Sequence, residues 1–350
     1  MLLSVFVVGC APVAETVGPT GTATGGATST PAGSAASPGP NPTVAPDWVA
    51  TIVGEAPILD ASAIDGVRHV LAGALLLDDD TVHGWLIGFG EAVGDQAPYH
   101  VTWPAGDPTN ITIESAVVDI GLELADPGPI PHSVARQPDG SFAMYGWGTI
   151  AAQEQAPVLW RASAATPAGP WAADPGVVFL PANAPAWDSA RIDFPTVLSN
   201  APGAYVMIYE GSAVADPNVS HIGIARSSNG VSWAHEDVPV LSPGLCGNGD
   251  DVSISGPRAL ALATGLLVAY VGREGNETRG VFVGEAQPDG SWSCQVPAPI
   301  LPPDAFEDSG GIHSFAALAI AGVPHLVVEI LSPDFATSAL WLVRLDPAAP

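Results

Sequence analysis

Five times along this chain of 350 residues an Asp stands four residues before an Ile: Asp60 and Ile64, Asp126 and Ile130, Asp188 and Ile192, Asp250 and Ile254, Asp308 and Ile312. Successive Asp positions lie 66, 62, 62 and 58 residues apart. Recurrence at an interval of this size marks a repeat architecture, so the chain is an array of five units of one kind.

Each unit reads as four strands. In the third, the apolar run Ile192-Asp193-Phe194-Pro195-Thr196-Val197-Leu198 is followed by Ala204 to Tyr209, then His221 to Arg226, then a run opening at Trp233. Runs of this length, rich in Val, Ile and Tyr and bounded by Gly, Pro, Asn and Asp, are strands. The fourth strand carries its own mark, a Trp leading to an apolar end: Trp171 to Leu180, Trp233 to Leu241 and Trp292 to Leu301. The same mark precedes the first unit, from Trp48 to Leu59, whereas the fifth unit stops near Asp346 after three strands. The expected fold is therefore all-β: a five-bladed β-propeller of four-stranded blades over residues 47–347, its N-terminal strand closing the last blade. Closure of this kind removes open sheet edges. The first unit lacks the Trp, and Thr109 to Glu123 is read as its degenerate fourth strand.

Charge narrows the partners. Thirty-six acidic residues stand against nine Arg and no Lys, for a formal charge of −27. Such a field repels nucleic acid and anionic lipid, which leaves neutral sugars, cations or basic ligands, and the domain is expected to be a monomer. At the N-terminus the apolar segment Leu2 to Val8 runs into Val7-Val8-Gly9-Cys10, which resembles the lipobox of bacterial lipoproteins. That resemblance implies a signal segment over residues 1–10 and a diacylated Cys10, two acyl chains being a stable anchor where one is not. Residues 11–46, rich in Gly, Ser, Thr, Pro and Ala, then form a tether, and the protein is expected outside the cytoplasm on the bacterial cell envelope. An exported chain keeps disulfides, so Cys246 and Cys294, both in the fourth unit, are expected to pair.

A residue present in every unit is architectural, because architecture repeats and a single active site does not; the five Asp residues are read as turn and backbone-bonding groups. The position after each Ile varies instead: Asp65, Pro131, Asp193, Ser255 and His313. First strands of propeller blades line the central axis, so these side chains are expected to converge at one mouth of the channel, as a site requires.

Five blades, carboxylates at the starts of inner strands and blade motifs such as Ala225-Arg226-Ser227-Ser228-Asn229-Gly230-Val231-Ser232-Trp233 resemble the superfamily of glycoside hydrolase families 43, 32, 68 and 130. In family 43, an inverting family, the resemblance implies Asp65 as general base and Asp193 as the carboxylate that tunes pKa and orients the glycan substrate. The acid position falls on Ser255-Gly256-Pro257, where Ser replaces the family's Glu, with Arg258 beside it. His313, in Gly311-Ile312-His313-Ser314, matches a last-blade His that helps hold a central water or metal.

Inverting hydrolysis needs two carboxyl groups about 6.5–9.5 Å apart, one of them protonated, and a Ser hydroxyl cannot replace the acid. Glu91, Glu210 and Glu274, at the ends of second strands, are the candidate substitutes. Ser255, Arg258, His132 and His313 are candidate substrate contacts. His132 and His313, with Asp65 or Asp193, also form a candidate divalent-metal set, though without the short His spacing of a zinc site; separately, a central Ca²⁺ held by carboxylate and water is the candidate cofactor. Ser255, His313 and Asp65 name the residue types of a hydrolytic triad but lack a Gly-x-Ser-x-Gly elbow. Trp85, Trp103, Trp147 and Trp187 are aromatics that can stack on sugars or fill blade interfaces. The two readings that follow are a glycosidase and a propeller that binds a glycan or a protein without cleaving it.

Overall fold

The computed structural model describes residues 48–348 except 91–95, 116–123, 151–157, 184–185, 202, 247–249, 263–264, 275–276, 287–291 and 295–297, together with a smaller set of side chains within strands. Cys10, the expected tether and Glu91 lie outside the described residues. Two strands open the chain, β1 (Trp48–Ile52) and β2 (Leu59–Asp60). Blade one holds β3 (His69–Asp78), β4 (Thr81–Phe89), β5 (Gln96–Pro104) and β6 (Thr112–Ser115). Blade two holds β7 (Leu124–Arg136), β8 (Phe142–Ile150), β9 (Val158–Ala164) and β10 (Ala172–Phe179). Blade three holds β11 (Arg191–Ala201), β12 (Ala204–Ala213), β13 (Asp216–Ser227) and β14 (Ala234–His235). Blade four holds β15 (Ser253–Ala261), β16 (Leu266–Glu274), β17 (Glu277–Ala286) and β18 (Trp292–Cys294). Blade five holds β19 (Gly311–Ile320), β20 (Val323–Leu331) and β21 (Ser338–Pro347).

Five sheets result, each an antiparallel meander, and β1 pairs with β21 in the register Trp48 to Pro347 through Ile52 to Val343. The N-terminal strand thus closes the last blade. It does so in two pieces, because residues 53–58 leave the ladder between β1 and β2 while Val53 N still donates to Leu342 O and Ile58 N to Leu340 O. Among the described residues the fourth strand of blade one covers Thr112–Ser115, and residues 116–123 of the expected strand lie outside them. In blades three and four the outer strand is also brief, and the apolar end marked in the sequence returns as one bridge, Leu241 to Ile222 and Leu301 to Val281.

The inner strands β3, β7, β11, β15 and β19 each pack on the next and form a closed ring. Apolar clusters fill the spaces between blades: Val70, Leu86, Trp103, Val327 and Leu340 join blades five and one, while Ile208, Ile222, Ile254, Val268 and Phe282 join three and four. Trp85 and Trp103 are buried, Trp147 nearly so, and Trp187 stacks on Tyr209, so these four indoles serve blade packing rather than an exposed sugar platform. The repeated Asp residues behave as architecture. Asp188 Oδ2 accepts from Tyr209 OH, and Asp250 Oδ2 accepts from Tyr270 OH and Cys246 N. Asp60 accepts from Ser62 N to cap a short turn. The Asp126 side chain lies outside the described residues.

Cys246 and Cys294 are bonded, with Cα atoms 5.3 Å apart, and join the loop before β15 to β18 of the same blade. The bridge closes a separation of 48 residues, for which chain-entropy arguments give about 4 kcal/mol of stabilisation. Thiol titration of the unfolded, unreduced propeller is expected to find neither Cys free, and reduction to lower the melting temperature; two titrating thiols in that pair would refute the bond.

Candidate functional site

Every inner strand carries a one-residue bulge near its start, and the bulges decide which side chains reach the axis. The register slips between Asp193 and Thr196, Ser255 and Arg258, Ile312 and Ser314, Pro131 and Ser133, and Ala72 and Ala74. An extra residue on one strand bends it and redirects the neighbouring side chains. In blade four the bulge uses Gly256 at φ 61°, where a residue without Cβ is at ease; in blade three Phe194 takes φ 54°. A bulky side chain in the left-handed region is strained by about 1–2 kcal/mol. Packing offsets it, since the Phe194 ring lies 4.9 Å from His132 and 5.4 Å from Trp147. In blade one the bulge is Gly73, where a Cβ would run into the Trp85 carbonyl and lie 2.8 Å from Pro131 O.

The bulges also correct the expected alignment of blade one. Val70 pairs with Gly88 and Ala74 with Trp85, the same offsets that relate Ile192 to Gly211 and Thr196 to Ile208. Leu71 is therefore the counterpart of Asp193 and Ser255. Asp65 lies in an exposed turn four residues before β3, outside the paired positions of the inner strand. The physical cause is the Asp65-Gly66 turn, with Gly66 at φ 76°, which delays the strand.

Blades three to five supply the polar cluster. Arg191 and Asp193 are two apart on β11 and share a face, and Glu210 on β12 is the direct cross-strand partner of Asp193. Arg191 Nε lies 2.5 Å from Asp193 Oδ2, and its Nη2 donates to Glu210 Oε1 and, at 2.8 Å, to Ser220 Oγ. Glu210 reaches the next blade, where Oε2 accepts from Ser255 Oγ at 2.8 Å and Gly256 N at 3.0 Å. Both carboxylates are buried, at 3% and 1% exposure, whereas the Arg191 side chain is 32% exposed. Solvent at this point meets the guanidinium that covers the carboxylates.

Burial raises the Asp193 carboxyl to about 7, Arg191 opposes the shift and Glu210 adds to it. Asp193 Oδ1 has no hydrogen-bond partner. A carboxyl whose pKa is raised on folding binds its proton more tightly in the folded chain, so its contribution to stability is largest at acid pH and is lost as pH rises from about 4 toward 7. Asp193→Asn is accordingly expected to raise the melting temperature more at about pH 8 than at about pH 5, as thermal melts at both would show. An equal change at both pH values would contradict it.

In blade five His313 Nδ1 lies 2.9 Å from Glu329 Oε2, which also accepts from Ser314 Oγ at 2.7 Å. The Glu329 charge raises the His313 pKa against the opposing effect of burial. Burial alone would raise the Glu329 carboxyl, but His313 and the bonds from Ser314 and Ser338 bring it below its ordinary value. The pairing thus favours the charged form of both partners. Arg273, on β16, reaches toward blade five, its Nη2 lying 3.4 Å from His313 O. Glu274 ends the same strand, and its side chain lies outside the described residues.

Arg258 holds the inner strands together. Its Nε donates to Phe315 O at 2.8 Å, Nη2 to Ala72 O at 3.1 Å, and Nη1 to His132 O and Nδ1, each at 2.5 Å. One side chain from blade four thus ties carbonyls of blades one, two and five. Burial lowers its pKa to about 9, which still leaves it cationic at neutral pH. Burial and Arg258 push the His132 pKa well down, so the imidazole is neutral and its Nδ1 accepts. These residues do not fit a central Ca²⁺. The carbonyl oxygens that could ligate a hard cation face a guanidinium, and His132 is turned to Arg258. No group of three His, Cys, Asp or Glu side chains suited to a metal occurs among the described residues. Of the expected substrate contacts, Arg258 and His132 are spent on the scaffold, and His313 is held by Glu329. Arg191, Arg273 and Glu329 escaped the sequence reading; their one signal was position, at the axial ends of first and second strands.

A cleft of about 710 Å³ lies apart from the axial cluster, between β10 and β14, lined by Phe179, Asn183, Trp233, His235 and Glu236 among others. Within it His235 Nδ1 meets Asp188 Oδ2 at 2.7 Å and stacks on Phe179 at 4.1 Å. This bond extends the repeated Asp to Tyr latch and belongs to the packing of blades two and three.

No family model matches the chain, and no curated protein matches it. Solved structures do. A thermostable family-43 glycoside hydrolase superposes with a TM-score of 0.60 at 14% identity, over 82% of this chain and 91% of that one. A glycosyl hydrolase from Bacteroides ovatus gives 0.56 at 16%, over 79% and 84%. A structure from the GH130 family of mannoside phosphorylases, described as containing glycoside hydrolases that target beta-1,2 mannosidic linkages in Candida mannan, gives 0.59 at 16%, over 86% and 96%. With the blade topology, these matches establish that the chain has the five-bladed β-propeller fold found in the family 43 and family 130 glycoside hydrolases.

Proposed function

We propose that the propeller binds a glycan at the channel mouth, through side chains of blades three to five, and does not cleave it by the inverting two-carboxyl route. The observation that carries this reading is the pairing of Asp193 with Glu210 under one guanidinium. Both carboxyls sit on neighbouring strands of one blade and are held by the same guanidinium, whereas inverting hydrolysis sets its two carboxyls on opposite sides of the scissile bond with room for a water. At the matching axial places blade one offers Leu71 and blade four Ser255. Solved structures of similar fold include glycoside hydrolases, which supports a saccharide as the ligand class.

One observation favours a second reading, a glycosidase. A buried carboxyl raised to about 7 has the character of a general acid, and Asp193 is such a group. A glycan array run beside a hydrolysis screen on arabinosyl, xylosyl, galactosyl and fructosyl oligosaccharides separates the two. The expected result is binding that Asp193→Ala weakens, without release of reducing sugar. Release of reducing sugar that Asp193→Asn abolishes would install the glycosidase instead, and a blank in both assays would overturn both.

The same proposal places the domain on the outside of the bacterial cell envelope, held through a diacylated Cys10, on the strength of Val7-Val8-Gly9-Cys10 and the low-complexity segment that follows. Mass spectrometry of the mature N-terminus is expected to find the lipid on Cys10; an unmodified thiol there would remove the anchor.

A further inference from the structure

Positive charge is scarce in this chain, with nine Arg, no Lys and a formal charge of −27. Three of the nine, Arg191, Arg258 and Arg273, nevertheless gather at the axial ends of blades three and four. Two of them are fully engaged: Arg258 by carbonyls of three other blades, Arg191 by Asp193, Glu210 and Ser220. Arg273 is different. It is largely buried, its Nη2 makes one long contact to His313 O, its Nε has no hydrogen-bond partner, and no carboxylate lies within ion-pair distance of it among the described residues.

A buried guanidinium donor left unmet is more costly than an unmet neutral group, and its fork geometry suits two parallel bonds to a carboxylate. The nearby acids whose side chains are described do not supply that partner, because Glu210 is held by Arg191, Ser255 and Gly256 and Glu329 by His313 and Ser314. We propose that the channel mouth takes an acidic glycan, whose uronate carboxylate is received by Arg273 beside Arg191. The negative field of the whole chain opposes the approach of any anion. At physiological salt that field is screened beyond about 8 Å, so the donors in contact decide affinity once the sugar is at the mouth. The inference rests on the reading that this mouth binds a glycan, and its test keeps the two apart.

The test is calorimetric titration of the full chain with short oligogalacturonides and oligoglucuronides, each beside its carboxyl-reduced neutral counterpart. The acidic member is expected to bind about 10- to 100-fold more tightly, the range of one charge-assisted bond pair. Arg273→Gln is expected to erase that preference, bringing the acidic sugar's affinity down to that of its neutral counterpart in the same variant, and to keep or raise the melting temperature, since it removes an unmet buried charge. Equal or tighter binding of the neutral sugars would overturn the inference while the glycan reading stands. An acidic preference that survives Arg273→Gln would overturn the assignment to Arg273, and no binding of any probe would overturn both. The wild-type comparison decides the point even if the variant fails to fold.

Discussion

A chain beginning at Ala61 is expected to aggregate, or to melt far below one beginning at Pro46. The shorter chain loses β1 and β2 and with them the ladder along β21, leaving the edge from Ser338 to Pro347 open to other chains. It also loses Trp48, which is buried against blade four, where its Nε1 donates to Glu285 Oε1 at 3.1 Å. Residues nearly three hundred apart are joined by this strand, so its removal unseats the blade that closes the ring. Differential scanning calorimetry of the two chains, with light scattering to follow aggregation, measures the effect. Equal melting temperatures would mean that β1 is an ornament rather than the closing strand.

Arg258→Met is expected to lower stability by about 3–5 kcal/mol, because it leaves the buried carbonyls of Ala72, His132 and Phe315 without a donor, at about 1–3 kcal/mol each before relaxation. Replacing a buried charge by an apolar side chain is often neutral when its partners are removed with it. Here the partners are backbone atoms of three other blades and cannot be removed. Arg258→Lys keeps the charge but not the planar fork and is expected to fall between the two. Denaturant unfolding of the three proteins measures the differences. An unchanged midpoint for Arg258→Met would show that the axial carbonyls find other partners and that the guanidinium does not staple the ring.

The two predictions differ in how far the sequence alone foretold them. The Asp-to-Ile spacing, the Trp-led fourth strands and the missing strand of the fifth unit expose the propeller and its closure, because blade identity is written in local patterns that recur. The disulfide follows from the same logic, since both Cys residues fall in one unit. Asp65 shows where repetition misleads. The motif recurs in blade one, but Asp65-Gly66 makes a turn, β3 starts at His69, and Leu71 takes the axial place. The turn dipeptide was visible in the sequence, whereas the bulges that set the offsets were not.

What the sequence determined about this protein is a five-bladed ring, the strand that closes it and the face on which inner strands begin, all consequences of short-range apolar and turn patterns. Tertiary structure alone decided the chemistry at the axis: Arg191 lies over Asp193 and Glu210, Glu210 reaches Ser255 in the next blade, Arg258 spans three other blades and Arg273 keeps an unmet donor. Those contacts join strands from separate repeats, and a one-residue bulge is enough to turn a side chain toward the axis or away from it. Sequence spacing fixes which strand a residue occupies, while the mutual register of five inner strands fixes what it touches.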